Sequence, residues 1–479
     1  MSNESGILSC GAYLPRLRLQ RKSIAAANSW FAPGLRGLAK GERTMANWDE
    51  DSITMAVEAA RDCMAGRDRA AIGQLVLAST THPYSDRQNA GIAANALNLR
   101  SALGVLDVTG SQRAGTSALA TALASAHGAE ILVTAAEHRR TKAASPQEMH
   151  YGDGAAAILV GKGKPIARLL AAHSETVDFV DHFRGSDAEH DYAWEERWIR
   201  DEGYMKIVPR ALEAVLKVAG AKPESVTHFC MPCTLSRVVP AIAKRAGIAE
   251  NAVRDTLGTV CGDTGAAHPL VLLVHALQDA KPGERILVAS FGQGCDALLF
   301  EVTDAITQLP ARSGVKGALA RRKEEQNYAK FLAFNDHVVL ERGMRSETDK
   351  ATPLSTLYRN RDMVTGLVGG KCRACGTLQF PSGRYCVNPK CNALDSQDAR
   401  PFSDVPASVM SYTADSLTYS PNPPHYYGMV QFEGGGRMMA DFTDVDAVEV
   451  GMPMRMMFRI KETDPARGFV RYFWKAAPA

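Results

Sequence analysis

A repeated stretch constrains the fold of this 479-residue chain more than any other feature. Residues 128–135 match residues 283–290, and each copy is followed by a Gly-x-Gly turn and an apolar strand, at 152–160 and 292–300. Each copy also follows a helical stretch rich in alanine and leucine. A period this long does not fit a solenoid of short repeats. The repeat therefore predicts a duplicated α/β half, with two similar units facing each other around a shared site.

The first part of the chain, to about residue 300, has the pattern of an α/β domain. Apolar stretches alternate with alanine-rich segments, and strands are expected at 74–78, 104–108, 131–134 and 286–289. Asp51 stands just before an apolar helical face, so it predicts a capped helix.

The composition changes after about residue 309. Charged residues at 320–325 predict a surface helix within a connector. Further on, short apolar strands at 408–413, 426–432 and 454–460 are separated by clusters of proline or glycine. Short strands at this spacing are typical of a small β-barrel such as an OB-fold.

Four cysteines lie between the connector and the predicted barrel, in the pairs Cys372–Cys375 and Cys386–Cys391. Two close pairs of this kind can meet around one zinc ion in tetrahedral geometry. Gly376 follows the first pair, where the chain must turn sharply. Because four thiolates leave no coordination position open, the zinc is expected to be structural. Unrelated thiols or a disulfide knot are weaker alternatives, since the clustering is local.

Charge and hydropathy argue against several classes of function. With 55 basic and 52 acidic residues the net charge is only +3, so no global field favours nucleic acid or an anionic membrane. Tyrosines of the predicted barrel lie among mixed charges, which favours strand packing over nucleic-acid binding. The longest apolar stretches are far too short to cross a bilayer. The first residues do not resemble a signal peptide, and the ten cysteines suit a reducing compartment, so a cytoplasmic location is expected.

The duplicated half, the stretch 48–56 and the turn at 152–156 together resemble the thiolase superfamily, in particular its hydroxymethylglutaryl-CoA synthase and ketoacyl synthase III branch. The stretches 178–204 and 327–332 are similar to an insertion and a C-terminal segment of hydroxymethylglutaryl-CoA synthases. The tail resembles the zinc-ribbon/OB-fold family that accompanies thiolases. The resemblance implies an α/β, five-layer αβαβα thiolase-type fold followed by a zinc ribbon and an OB-fold.

The expected domains are a thiolase-like domain at 1–315, a helical connector at 316–365, a zinc ribbon at 366–395 and an OB-fold at 396–479. The resemblance also implies an acyl-CoA thioester as substrate and a homodimer.

The cysteine nucleophile of the superfamily sits on a turn before a buried helix, whose N-terminus lowers the pKa of the thiol and offers N–H groups to a thioester oxyanion. By the resemblance, that position is Gln112 in this chain. Glutamine cannot form an acyl-enzyme. It also occurs in loading ketosynthases, where its amide helps to polarise a thioester carbonyl while an enolate develops.

Three other family positions are altered as well. Cys230 or Cys233 takes the place of the family histidine, Asp263 takes the place of an asparagine, and the glutamate base falls near Thr81. Four changes at independent loops imply that Claisen chemistry through an acyl-cysteine is absent.

Several residues are candidates for the remaining roles. Proton transfer could involve Asp263, Cys230, Cys233, His82 or His228, and the flexible cations Arg237, Lys40 and Arg43 could meet the phosphates of CoA. The polar loop at 138–140 is expected to be solvated.

Three functions stay open at this point. The chain could be an enzyme that acts on C–C bonds of CoA thioesters by aldol, retro-aldol or decarboxylative chemistry. It could be an accessory subunit that binds a separate thiolase and forms a shared CoA tunnel. A conventional hydroxymethylglutaryl-CoA synthase is the third possibility, and Gln112 counts against it.

Overall fold

The computed structural model describes residues 5–126, 128–347 and 349–479. These residues form two compact units. The first unit comprises the described chain as far as Asn47, then Asp51–Ala90 and Arg100–His337. The second comprises Trp48–Glu50, Gly91–Leu99 and Val338–Ala479. The predicted four-part division by residue number stays a prediction.

The described strands of the first unit are β1 (Ser5–Tyr13), β2 (Leu17–Gln20), β3 (Glu42–Met45), β4 (Ile72–Ala78), β5 (Gly104–Val108), β6 (Glu130–Glu137), β7 (Gly154–Lys162), β8 (Ala167–Thr176), β9 (His182–Phe183), β10 (Tyr192–Ala193), β11 (His228–Cys230), β12 (Arg285–Phe291), β13 (Gly294–Val302) and β14 (Lys323–Glu325). The four strands predicted from the sequence correspond to β4, β5, β6 and β12.

The described α-helices are α1 (Arg21–Asn28), α2 (Ser52–Cys63), α3 (Asn89–Ala96), α4 (Ala114–Ser125), α5 (Pro146–His150), α6 (Glu196–Trp198), α7 (Met205–Ala219), α8 (Val238–Arg245), α9 (His268–Leu277), α10 (Gly314–Ala320), α11 (Tyr328–Phe334), α12 (Leu354–Arg359) and α13 (Arg361–Val364). The expected cap of α2 is present, because the Asp51 side chain accepts from the Thr54 N–H at 2.8 Å. Among the described residues, every helix is too short or too polar to span a bilayer.

One mixed sheet organises the first unit, with the strand order β11-β12-β13-β8-β1-β7-β6-β4-β5. In one half of the sheet, β4 pairs parallel with β6, and β6 pairs antiparallel with β7. In the other half, β11 pairs parallel with β12, and β12 pairs antiparallel with β13. The two halves meet where β1 pairs with β8. The predicted duplication is therefore confirmed.

Helices α4 and α9 occupy equivalent places in the two halves and share one apolar core. The close approach of α4 to the turn just before α9 requires glycine at 115, since a Cβ there would lie 2.3 Å from the Ala266 carbonyl oxygen. Burial of α4 fixes the turn before it, which is the turn that carries Gln112.

The surface helix predicted at 320–325 is wrong. Helix α10 ends at Ala320, and Lys323–Glu325 forms β14, which pairs parallel with β2. Arg322 binds Glu42, with Nε to Oε1 at 2.8 Å. Tertiary pairing has overridden the local helical preference of a charged segment.

The described strands of the second unit are β15 (Val368–Cys372), β16 (Leu378–Gln379), β17 (Gln397–Pro401), β18 (Ala407–Asp415), β19 (His425–Phe432), β20 (Arg437–Asp441), β21 (Pro453–Asp464) and β22 (Phe469–Pro478). Strands β16, β15 and β17 form one small sheet, and β20-β19-β18-β21-β22 form an antiparallel sheet. The end of β20 turns back onto β22, where the Thr443 N–H donates to the Ala476 carbonyl at 2.9 Å. The three strands predicted from sequence in the tail are confirmed.

Candidate functional site

Gln112 lines a cavity of about 1060 Å³ in the first unit, which we call the main cavity. It also lines a cavity of about 100 Å³, the inner cavity. The amide oxygen Oε1 is buried, and none of the described residues forms a hydrogen bond with it. Gly265 makes room for this amide, because its φ is +56° and a Cβ there would lie 2.7 Å from Oε1.

The inner cavity shares residues with a third cavity of about 350 Å³, which we call the second cavity. Asp263 and Thr234 line both of them, whereas Gln112 and His182 line the inner and the main cavity. The inner cavity is therefore flanked by both larger spaces, with Gln112 on one side and Asp263 on the other.

Arg139 holds Asp263 in place. Its Nη2 donates to the Asp263 backbone oxygen at 2.7 Å and to Oδ1 at 2.9 Å, and its guanidinium lies 3.5 Å from the Tyr151 ring centroid. The expectation that the loop at 138–140 is solvated is wrong for Arg139, which is only 4 % exposed. These partners explain its burial, since a buried charge needs an opposite charge and hydrogen bonds.

The carboxylate of Asp263 is kept ionised. Burial raises its pKa, but the charge of Arg139 and the N–H of Gly265 outweigh burial, so the pKa lies below its ordinary value. His268 is a neutral partner, because its Nδ1 accepts from the Thr264 N–H at 2.8 Å and its Nε2 lies 2.8 Å from the Thr256 carbonyl. Asp263 is thus an acceptor at neutral pH.

Glu137, at the end of β6, lies beside Gly265 and was not singled out from the sequence. It is fully buried, and a Cβ at Gly265 would lie 2.9 Å from its Cγ. Its Oε1 accepts from Ser79 Oγ at 3.0 Å and its Oε2 from Thr80 Oγ1 at 2.7 Å. Burial raises the pKa of this carboxyl.

A histidine–carboxylate pair faces the same space as Gln112. His182 lines both the main and the inner cavity, and its Nδ1 lies 2.9 Å from Asp181 Oδ2. The other carboxylate oxygen of Asp181 accepts from Gln293 Nε2 at 3.0 Å. Two weak signals in the sequence could have pointed to this pair: the adjacent Asp-His in the stretch 178–204, and the Gly-x-Gly turn that contains Gln293.

Three of the residues predicted for proton transfer lie outside this arrangement or lack a partner in it. His82 lines the main cavity, but neither ring nitrogen has a hydrogen bond to a described residue. Cys230 lies instead in the apolar core, where burial raises the pKa of its thiol to about 12. His228 binds Glu284 Oε2 at 2.9 Å at the start of β11.

Cys233 lines the second cavity beside Asp263. Burial raises the pKa of its thiol to about 12, so the thiol is protonated at neutral pH. It is therefore close to the site but not activated as a nucleophile.

The three cations predicted to bind phosphate differ in their exposure to solvent. Arg237 lines the second cavity and is exposed. Lys40 is exposed, and its backbone carbonyl accepts from Arg21, which also lines the second cavity. Arg43 is instead 1 % exposed, where it donates to the Glu148 carbonyl at 3.0 Å and lies 3.9 Å from Asp153.

The four cysteines of the second unit converge. The sulfur atoms of Cys372, Cys375, Cys386 and Cys391 all lie within 4.8 Å of one another. Tetrahedral coordination with metal–sulfur bonds of about 2.3 Å places sulfurs about 3.8 Å apart, and the pairs Cys372–Cys391 and Cys375–Cys386 are separated by 3.9 and 3.5 Å. Gly376 has the positive φ, +77°, that its place after the first pair predicts. The thiols fit a structural metal ion.

Family models match two parts of the chain. Residues 216–301 match the C-terminal part of 3-oxoacyl-[acyl-carrier-protein] synthase III, and residues 399–459 match the C-terminal OB-fold domain of ChsH2.

Solved structures show the same fold. The first is 3-oxoacyl-[acyl-carrier-protein] synthase III from Aquifex aeolicus, with a TM-score of 0.55 and 20 % identity, covering 62 % of this chain and 99 % of that one. The second is MvaS in complex with 3-hydroxy-3-methylglutaryl coenzyme A, with a TM-score of 0.58 and 18 % identity, covering 70 % and 92 %. The predicted thiolase-type α/β fold followed by an OB-fold is confirmed.

Relatives found by sequence similarity indicate the family within this fold. The hydroxymethylglutaryl-CoA synthase of Methanocaldococcus jannaschii is 27 % identical over 343 residues, which are 70 % of this chain and 99 % of that protein. That of Methanocella arvoryzae is 31 % identical over 314 residues, which are 64 % of this chain and 90 % of that protein. On this similarity, the chain belongs to the hydroxymethylglutaryl-CoA synthase family.

Proposed function

We propose that this protein binds an acyl-CoA and makes or breaks a carbon–carbon bond of the thioester through an enolate, without an acyl-cysteine. The reaction would be of the aldol, retro-aldol or decarboxylative type. One observation carries the proposal: Gln112 occupies the turn before α4, and no cysteine is found among the described residues that line the main and inner cavities.

The thiols elsewhere in the first unit support a reaction without an acyl-cysteine. Burial raises the pKa of Cys230 and of Cys233 to about 12, and it raises the pKa of Cys295 within β13 as well. A thiol with a pKa this high contains almost no thiolate at neutral pH, and the thiolate is the nucleophile.

The residues around Gln112 suit enolate chemistry. The side-chain amide of Gln112 is a donor for a thioester oxygen that gains negative charge. Arg139 adds a fixed positive charge, and Asp263 fixes its position through two hydrogen bonds. We place the CoA arm in the second cavity, because Arg21 and Arg237 line it and cations suit the phosphates.

Turnover of CoA thioesters by the purified chain alone tests this function. A panel of acyl-CoA and 3-hydroxyacyl-CoA esters would be incubated with the wild type, and the products identified by liquid chromatography and mass spectrometry. We expect turnover that Gln112→Ala and Asp263→Ala each reduce by about 100-fold. Arg168→Ala, which removes an exposed partner of Glu301, is the control and should keep full activity.

A second candidate function is an accessory subunit that binds a separate thiolase. The match of residues 399–459 to an OB-fold domain of ChsH2 supports it. Strand β5 also supports this role, because it ends the described sheet and leaves Leu106 44 % exposed on an edge strand. We propose a homodimer formed at this edge as the other possible arrangement. Activity that appears only after a thiolase is added, and that is insensitive to Gln112→Ala, would favour the accessory role.

We further propose that the metal of the Cys₄ cluster is zinc. Four thiolates are the ligand set of a closed structural zinc site, and hydroxyls stand beside two of them. Ser396 Oγ lies 3.2 Å from the sulfur of Cys372, and Thr377 Oγ1 lies 3.2 Å from that of Cys375.

A further inference from the structure

The pair His182–Asp181 has the geometry of an oriented base. Asp181 is 9 % exposed and lies 2.9 Å from Nδ1 of His182. A carboxylate accepts, so Nδ1 carries the proton and the lone pair of the neutral ring lies on Nε2. Nε2 has no hydrogen bond to any described residue, and the side chain is 17 % exposed. The free nitrogen therefore stays accessible to a bound molecule.

The same loop fixes this pair and the turn that carries Gln112. Gln293 donates to Asp181 Oδ1 at 3.0 Å. The neighbouring carbonyl, that of Gly292, accepts from Ser111 Oγ at 3.0 Å and from Arg113 Nε at 2.9 Å. Ser111 and Arg113 flank Gln112 directly. A short path of hydrogen bonds thus sets the position of His182 relative to the amide of Gln112, and both line the main and inner cavities.

Three charged residues, Asp181, Asp191 and Arg139, act on the pKa of His182. Burial lowers its pKa, Asp181 and Asp191 raise it, and Arg139 lowers it, with a net rise above the ordinary value. Asp191 is itself paired with Arg184 at 2.7 Å. An imidazole held by a carboxylate in this way can accept and return a proton.

The other histidines near the site do not have this arrangement. Both ring nitrogens of His268 are occupied by Thr264 and Thr256. The ring of His82 has no carboxylate to orient it among the described residues. Of the described histidines that line the main and inner cavities, His182 is therefore the one with an orienting carboxylate.

We propose that His182 is the proton-transfer residue of this site and that Asp181 and Gln293 are its positioning residues, an inference that rests on the proposed function. In the addition direction, the Nε2 lone pair takes a proton from the α-carbon of the thioester, and the C–H electron pair becomes the enolate. The enolate carbon attacks a carbonyl carbon, and the resulting alkoxide takes the proton back from the imidazolium. In the cleavage direction the same proton leaves the hydroxyl, the C–C bond breaks, and the imidazolium protonates the enolate carbon.

Exchange of α-protons in D₂O tests the proposal without a second substrate. Acetyl-CoA, propionyl-CoA and 3-phenylpropionyl-CoA would be incubated with the full-length protein, and deuterium uptake measured by mass spectrometry from pH 5 to 9. The wild type should catalyse exchange that rises with pH through one ionisation. His182→Gln should lose about 100-fold or more of this rate. Asp181→Asn should shift the ionisation to lower pH, a change that a purely structural role would not produce.

Two further measurements separate chemistry from folding. Addition of imidazole should restore part of the exchange to His182→Ala, and calorimetry should show that this variant still binds the CoA ester. His173→Gln alters a histidine–carboxylate pair on β8, whose His173 Nε2 lies 3.6 Å from Glu175, and should exchange like the wild type.

Exchange by the wild type that His182→Gln retains would overturn the role of His182 and leave the proposed function in place. A wild type that neither exchanges α-protons nor turns over any CoA thioester would overturn both.

Discussion

Arg113 donates from Nη1 to Oδ1 of Asp296 at 2.8 Å, and this ion pair ties the turn before α4 to β13. Asp296 is fully buried and accepts three further hydrogen bonds, from Thr116 at 3.0 Å, Ser117 at 2.6 Å and Ser174 at 2.8 Å. A buried carboxylate with this many donors is a strong anchor. The position of Gln112 therefore depends on a residue of the other half of the sheet.

Removal of the Asp296 carboxylate should strongly destabilise the fold. We expect Asp296→Ala to lower the free energy of unfolding by about 3 kcal/mol, because it leaves Arg113 and the hydroxyls without their acceptor. Arg168→Ala breaks an ion pair whose side chains are 40 % and 20 % exposed, so the expected loss is below about 1 kcal/mol. Chemical denaturation of the two variants gives the comparison, and equal losses would contradict the anchor.

Space for the Gln112 amide depends on Gly265. Gly265→Ala would place a Cβ 2.7 Å from Gln112 Oε1 at a φ of +56°. Gly220→Ala has nearly the same φ, +59°, with no atom within 4 Å of the added Cβ, so it isolates the backbone strain. Both should lose about 1 kcal/mol of stability from strain, but activity on CoA thioesters should fall only for Gly265→Ala. If both variants keep full activity, the amide does not need this position.

The pair His182–Asp181 should make stability depend on pH. The pKa of His182 is above its ordinary value of 6.5 in the folded protein. Its stabilisation is therefore complete below pH 6.5 and is lost as the pH rises through the folded pKa. Asp181→Asn removes the partner, so the difference in thermal midpoint between the wild type and this variant should be largest near pH 6 and shrink towards pH 9. A difference that does not change with pH would contradict a charged pair.

Local patterns were enough to predict the duplicated sheet and the barrel strands, because alternation and turn residues act over a few positions. The confirmed cap at Asp51 belongs to the same class, since cap and helix are neighbours in sequence. The resemblance to the thiolase superfamily, rather than a local pattern, placed Gln112 on the turn before a buried helix.

Long-range contacts explain what the sequence missed. Glu137 ends β6 and Arg139 follows two positions later, whereas His182 lies in β9. Arg139 and His182 line the same inner cavity, although more than forty positions separate them in the chain. Arg139 looked solvated because its partner Asp263 lies 124 positions away in the chain. For the same reason 320–325 looked helical, since its strand partner is β2 near the start of the chain.

The Cys₄ cluster should hold one zinc ion per chain. Elemental analysis of the purified protein should give one equivalent of zinc, and Cys375→Ser should lose most of it because a tetrahedral site needs all four ligands. Cys233→Ser changes a cysteine outside the cluster and is the control, with zinc content unchanged. Full zinc retention by Cys375→Ser would show that the metal is bound elsewhere.

Intact-mass spectrometry after incubation with acetyl-CoA tests most directly that this protein works without an acyl-cysteine. The wild type should show no acetyl adduct, because Gln112 cannot form one and the thiols of Cys230 and Cys233 have pKa values of about 12. Gln112→Cys should become acetylated, since a thiol at the start of α4 has its pKa lowered by the helix N-terminus. A stable acetyl adduct on Cys230, Cys233 or Cys295 of the wild type would contradict the account.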